Sequence, residues 1–222
     1  MPAIPLQTPY PTPQPQIFEG QYCRLEPLNP TRHGDQLFEA ITGPEAERLH
    51  RYLADPIPTS REDFNAWLIP KSASKDPMFF AVIDRATNRV EGRQSLMDIV
   101  PAHGTAEIGH ILWGPRIART PVTTEAFFLL ADHALTTLGY RRWQWRCNAA
   151  NAPSRRAAER FGFTYEGTFR NHMVVKGENR DTAWFSITNT EWPPLRARFQ
   201  AWLAPENFTP QGQQRTPLTP AP

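Results

Sequence analysis

Two short stretches of this chain gather polar and charged side chains at helix starts, where they could hold a ligand. The first is "EIGHILWGPRIARTPVTTEA" (107–126). Thr120 stands where an N-cap belongs, and Pro121 fits the first helical turn, where a missing N–H leaves nothing unsatisfied. A helix start offers unpaired N–H groups and the positive end of the helix dipole, which together suit a phosphate or pyrophosphate. Arg116 and Arg119 add positive charge, and Thr123 and Thr124 add hydroxyls. The same residues also suit an ordinarily capped helix with two solvated arginines. The second stretch, "CNAANAPSRRAAERFGFTYEGTFR" (147–170), sets Asn148, Asn151 and Ser154 against a very short helix stopped by Gly162. Helices below ~12–15 residues are marginal in water, so tertiary packing must hold this one. Capping takes one polar residue. Asn151 can supply it, with Pro153 tolerated in the first turn. The others are either turn residues or contacts for a ligand running past the strand end.

The rest of the chain must position these stretches. Its 222 residues, 40% hydrophobic and 11% aromatic, are enough for one domain with a substantial core. A net charge of +2, with Lys and Arg scattered, argues against a nucleic-acid groove. Cys23 and Cys147 have neither disulfide-framework nor metal spacing and read as buried free thiols, with no metal expected. No apolar run is long enough to span a bilayer and no signal pattern opens the chain, so a cytoplasmic protein without a membrane partner is expected. Residues 1–16 hold six prolines and 204–222 hold five. Both segments are polar between prolines and read as tails or surface-draped arms flanking a single domain over 17–203.

Within that domain the periods alternate. Residues 21–28 read as a strand, 31–41 as a helix, and "AERLHRYL" and "SREDFNAWLI" as short helical pieces, with Ser60 as an N-cap. Strands follow at 77–84, 89–99 and 105–113. Phe127, Leu130, Ala131, Ala134 and Leu138 fall at helical spacing, and Gly139 supplies the stop. Residues 140–148 alternate again. After the short helix come strands "FTYEGTFR" and "HMVVKG", a turn at "GENRD" and the strand "TAWFSITNTEW". Strands mixed with helices, ending in a hairpin, make an α+β fold with a mixed sheet.

"NAPSRRAAERFGFTYEGTFR" resembles the closing motif of the GNAT superfamily of acyl-CoA-dependent N-acetyltransferases, N-x-x-S, a short helix and then G-F-x-x-E-G. "AEIGHILW", "RTPVTTEA", "VKGENRDTAWFSITNTEW" and "RLEPLNPTRHGDQLFEA" extend the likeness over nearly all of 20–193. It is nearest the ribosomal-protein N-terminal acetyltransferase-like branch. The resemblance implies a three-layer α/β/α fold with a strongly bent mixed sheet, splayed where acetyl-CoA enters as co-substrate. By resemblance, Ile111, Leu112 and Trp113 offer backbone groups to the pantetheine arm. The turn from Arg116 through Arg119 and Thr120 to Thr123 and Thr124 holds the pyrophosphate, and Asn151 and Ser154 flank the arm and its sulfur. The family's phosphate turn, R/Q-x-x-G-x-G/A, reads "RIARTP" here. Arg119 and Pro121 replace its glycines, so the side chains of Arg116, Arg119 and Thr120 are expected to compensate.

The chemistry implied is direct acetyl transfer to an amine, which needs a base, an oxyanion donor and an acid for the departing thiolate. Ser154 is the expected acid and the backbone around Ile111–Trp113 the donor. Glu107, sharing a face with Gly109, is the expected base, with His172 second; His110 alternates to the opposite face and reads as structural. Trp67, Phe80, Arg93, Gln94 and Asp98 are expected to line the acceptor pocket. The acceptor is expected to be a small-molecule amine, alternatively a protein N-terminus, for a monomer or homodimer. A non-catalytic acyl-CoA-binding or interaction module is the third reading.

Overall fold

In the computed structural model, which describes residues 8–218, these periods become one eight-stranded sheet. Strands β1 (Phe18–Glu19) and β2 (Cys23–Pro27) lead into helices α1 (Pro30–Thr42), α2 (Ala46–His50) and α3 (Arg61–Ala73). A meander follows of β3 (Met78–Asp84), β4 (Arg89–Val100) and β5 (Thr105–Trp113). Helix α4 (Pro121–Asp132) crosses to β6 (Arg142–Asn148), and α5 (Ala152–Arg160) precedes the hairpin of β7 (Thr164–Val175) and β8 (Glu178–Thr188). Helix α6 (Trp192–Leu203) follows the hairpin. The strand order is β1-β2-β3-β4-β5-β6-β8-β7, and the sheet does not close. Every pairing is antiparallel except β5 with β6.

Helices cover both faces of the sheet. Under α4 and α6 lies a large aromatic core in which the Phe127 ring stacks on Phe161 at 4.3 Å, beside Trp145, Phe163 and Phe199. On the other face α1 and α3 contribute Leu37, Ile41, Phe64 and Leu68 against Phe79, Ala81 and Ile83. The period of two in β6 sends Trp143, Trp145 and Cys147 into the first core and Arg142, Gln144 and Arg146 to the opposite face. Ser60 caps α3 by accepting from the Asp63 N–H at 3.0 Å. Gly139, at φ +69°, ends the α4 segment after a π-helical turn over His133–Thr137.

Three elements differ from the sequence reading. The two strands expected over 163–177 are one long β7, bulged between Phe169 and Met173. The turn expected at 177–181 is confined to Lys176 and Gly177, both at positive φ, so β8 starts at Glu178 and includes Arg180. Helix α6 was not anticipated. Its tandem Pro193-Pro194 reads as a breaker but occupies the first turn, where no N–H is needed. As for the proline-rich arms, Tyr10 is buried against Gly104 and edge-on to Tyr140, whose hydroxyl donates to the Pro11 carbonyl. Leu218 is buried as well. Residues 1–7 and 219–222 of those arms lie outside the described residues.

Candidate active site

The sheet opens at its one parallel pair. Thr105, Ala106 and Glu107 pair with Arg142, Trp143 and Gln144. Beyond them β5 runs on to Trp113 and β6 to Asn148 without pairing with each other, so two strand edges face a gap. Edge N–H and C=O groups left this way need partners, and an extended amide-bearing chain can supply them. Ile111 and Trp113 border the gap from the side of the aromatic core, whereas Leu112 is buried in the second core. A bulge sets His110 and Ile111 opposite Gln94, with His110 at φ +49°. The bulge overturns the expected alternation. His110 packs on Phe79 at 5.0 Å and so shares the α1/α3 face with Glu107.

The turn from β5 to α4 stands at the far end of the gap. Gly114, Ile117 and Thr120 already use their N–H groups on backbone carbonyls, and Pro115 and Pro121 have none. Arg116, Ala118 and Arg119 keep theirs unpaired among the described residues, beside the first turn of α4. Arg119 sits at φ +64°, the left-handed conformation that glycine adopts most easily, so the turn keeps a glycine-like path with a charged side chain. Its guanidinium has no ion-pair or hydrogen-bond partner among the described residues. Arg116 differs from expectation. Its Nε donates to both carboxylate oxygens of buried Glu91 at 2.8 and 2.9 Å, and Glu39 lies 3.5 Å away. A buried carboxylate holds its counter-ion, so Arg116 is committed to the fold. Thr120 occupies the N-cap but its hydroxyl donates backwards to the Ile117 carbonyl, and Thr123 donates to Thr120. Thr124 accepts from Arg160 at 3.1 Å.

Across the gap, the head of α5 uses each of its polar residues. Asn148 accepts from the Ala150 N–H, and Asn151 caps α5 by accepting from the Ser154 N–H at 3.1 Å. Ser154 Oγ accepts from the Trp145 indole at 3.0 Å, and its hydroxyl lies against the Cys147 thiol. Cys147 points into the same core, and burial pushes its thiol pKa up.

On the opposite face, at the last paired residue of β5, lies Glu107. It is 2% exposed, and Arg146 Nε approaches its Oε2 at 3.1 Å without hydrogen-bonding geometry. Burial outweighs the Arg146 charge and pushes its pKa up to about 8.

The acetyltransferase (GNAT) domain family matches residues 23–164 of this sequence. The chain belongs to that family. A GCN5-related N-acetyltransferase from Brucella melitensis is 56% identical, with a TM-score of 0.94 and 96% of both chains covered. A probable GNAT-family acetyltransferase from Chromobacterium violaceum is 37% identical, with a TM-score of 0.78 over 86% of this chain and 97% of that one. An N-acetyltransferase designated p20 from Bacillus licheniformis is 30% identical over 117 residues, 51% of this chain; the match spans 63% of that relative's length. Members of this family use acetyl-CoA as co-substrate, and the open strand edges, the unpaired turn N–H groups and Arg119 fit such a ligand.

In this acetyltransferase the residues expected to bind the acceptor do not share one pocket. Phe80 is in the aromatic core, and Gln94 is fully buried there, donating to Ala126 and accepting from Trp113. Strand alternation puts Arg93 on the other face, 1% exposed, bonded to Asp55 and to the His110 carbonyl, with its guanidinium 4.3 Å over Trp67. Asp98, at the end of β4, pairs with Arg146 at 2.8 Å. His172 shares this face. Its Nδ1 meets Thr182 Oγ1, and Trp184 stands between it and Arg146. The sequence reading passed over His50, Asp55, Arg146 and Arg180, which also belong to this face. Burial lowers the pKa of His50 and pushes that of His110 down to about 4, so neither ring is charged at neutral pH.

The turn permits a test that separates shape from charge. Arg119→Gly is expected to leave the melting temperature unchanged or higher, because φ +64° suits glycine, while weakening acetyl-CoA about 10-fold through the lost charge. Unchanged affinity would remove Arg119 from the phosphate turn.

Proposed function

We propose that this acetyltransferase moves the acetyl group of acetyl-CoA directly to the primary amine of a small molecule of the amino acid, amino sugar or polyamine type. One observation carries the reading, a carboxyl 2% exposed at the residue where β5 and β6 part. Glu107 takes the amine proton. A carboxyl held near pH 8 by burial is matched to that task at neutral to mildly alkaline pH. Gly109 leaves room beside it, since a side chain there would crowd Met97 and approach Glu107 Oε1. Ser154, its oxygen engaged by Trp145 and its hydroxyl lying against Cys147, turns its proton to the departing thiolate. Backbone groups of Ile111–Trp113 face the acyl oxygen. His172 is the second choice of base. Cys147, buried with a raised pKa, is unsuited to a covalent route, which supports direct transfer.

A protein N-terminus is the alternative acceptor. The exposed Phe169, Met173 and Val174 on β7 favour it, as a ledge for a longer chain. The non-catalytic reading draws on the commitment of Arg116 to Glu91. Calorimetric titration with acetyl-CoA tests the premise of the transferase reading, and amine-dependent thiol release then separates an enzyme from a module that only binds acyl-CoA. Micromolar binding is expected, and no heat at millimolar ligand would sink the transferase proposal.

A further inference from the structure

The sheet face that carries Glu107 holds more positive charge than its own acids match. Arg93, Arg146, Lys176 and Arg180 lie on it, against Asp55, Asp98 and the protonatable Glu107. Three of the four cations are committed. Arg93 is held by Asp55 and the His110 carbonyl, Arg146 by Asp98 and Glu107, and Lys176 by the His50 carbonyl at 3.0 Å.

Arg180 is not. It makes no ion pair and no side-chain hydrogen bond among the described residues, and its Nε is buried without a partner. Residues 180, 182 and 184 of β8 share one face, since Ala183 and Phe185 point into the aromatic core and β8 has no bulge there. On that face Trp184 lies 5.2 Å under the Arg146 guanidinium, and its indole N–H is likewise buried and unpaired. Leaving a buried donor unmade costs roughly 1–3 kcal/mol. Two such donors on one strand face, with Thr182 between them and Arg146 linking Trp184 to the proposed base, mark a place that an acceptor oxygen completes. Arg146, Cys147 and Glu107, in that order, act on the Arg180 charge, so it stands within reach of the carboxyl that would take the amine proton.

We propose that Arg180 and Trp184 bind a carboxylate of the acceptor, so that the substrate is an amino-acid-like amine rather than a polyamine or a neutral amino sugar. This rests on the transferase reading above. An anionic oxygen pair suits one guanidinium fork with an indole N–H beside it. A polycation would instead meet Arg93, Arg146, Lys176 and Arg180 with too few carboxylates to offset them.

The test measures free-thiol release from acetyl-CoA with paired amines, each proteinogenic amino acid against its decarboxylated counterpart, with spermidine and glucosamine alongside. Wild type and Arg180→Met are compared, and acetyl-CoA binding is titrated in both. The carboxylate member of each productive pair is expected to be the better acceptor. Arg180→Met is expected to raise its KM at least about 30-fold with the acetyl-CoA Kd unchanged. Equal or better turnover of decarboxylated amines, spermidine or glucosamine overturns the proposal, and so does an unchanged KM in Arg180→Met. Turnover of no panel member while acetyl-CoA binds also overturns it. Failure of wild type to bind acetyl-CoA is a separate result and strikes the transferase reading itself.

Discussion

Replacing Glu107 with Gln is expected to lower kcat/KM about 10²–10⁴-fold and to abolish the acid limb of its pH profile. The proposed base works only when ionised. In the wild type that limb should therefore rise with pH around a midpoint near 8, the value to which burial lifts the carboxyl against the pull of Arg146. The same shift affects stability in the opposite sense. A carboxyl whose folded pKa is raised favours the fold while protonated, so its contribution is fully present below about pH 4.5 and is lost as pH rises through about 8. Glu107→Gln keeps a neutral side chain at all pH. Its melting temperature should fall less than that of the wild type over this window, and above pH 8 the variant should be the more stable protein. Activity and stability thus move in opposite directions in one substitution, a pattern that general damage to the fold does not produce. A variant that retains the acid limb would shift the base to His172, with His172→Gln as the next comparison.

Elements governed by local periodicity were legible. The alternation of Trp143, Trp145 and Cys147, the helical spacing of Phe127, Leu130 and Ala131, and the caps at Ser60 and Asn151 all act within a few residues, and the structure has each of them. What escaped depends on partners far away in sequence. Arg116 looked like a free phosphate ligand because Glu91, 25 residues earlier on a neighbouring strand, is invisible as its partner until the sheet is assembled. Arg93 and Gln94 are neighbours in sequence, and as adjacent strand residues they face opposite sides of the sheet. The bulge that brings His110 to the Glu107 face has no local mark, since histidine at positive φ is uncommon. Arg180 was hidden in the polar stretch after Gly177 that reads as a turn. The resemblance at 147–170 points to the end of the sheet where β5 and β6 part as the candidate site. The charge pattern there was not legible.

Glu125 illustrates the same gap with the largest stability effect. In sequence it is one more residue of the best helix. In the structure it is 5% exposed, and its carboxylate accepts the backbone N–H groups of Gln21, Tyr22 and Cys23, each at 2.7 Å. It thereby ties the loop between β1 and β2 to the first turns of α4, the helix whose start borders the proposed pyrophosphate site. Glu125→Ala leaves those donors unpaired, one of them on a fully buried residue, and is expected to destabilise the protein by about 3–5 kcal/mol in denaturant unfolding. Glu125→Gln should recover little, because it presents one accepting oxygen and turns an NH₂ donor toward donors. Gly20 gives the argument its independent check. A Cβ there would lie 2.3 Å from Glu125 Oε2, so Gly20→Ala must push the carboxylate off its donors. If the clamp is the cause, Gly20→Ala is destabilising in the wild type and nearly silent in the Glu125→Ala background, a strong coupling in the double-mutant cycle. Additive losses, or a loss below about 1 kcal/mol for Glu125→Ala, would mean that the carboxylate only decorates a loop that packing already holds.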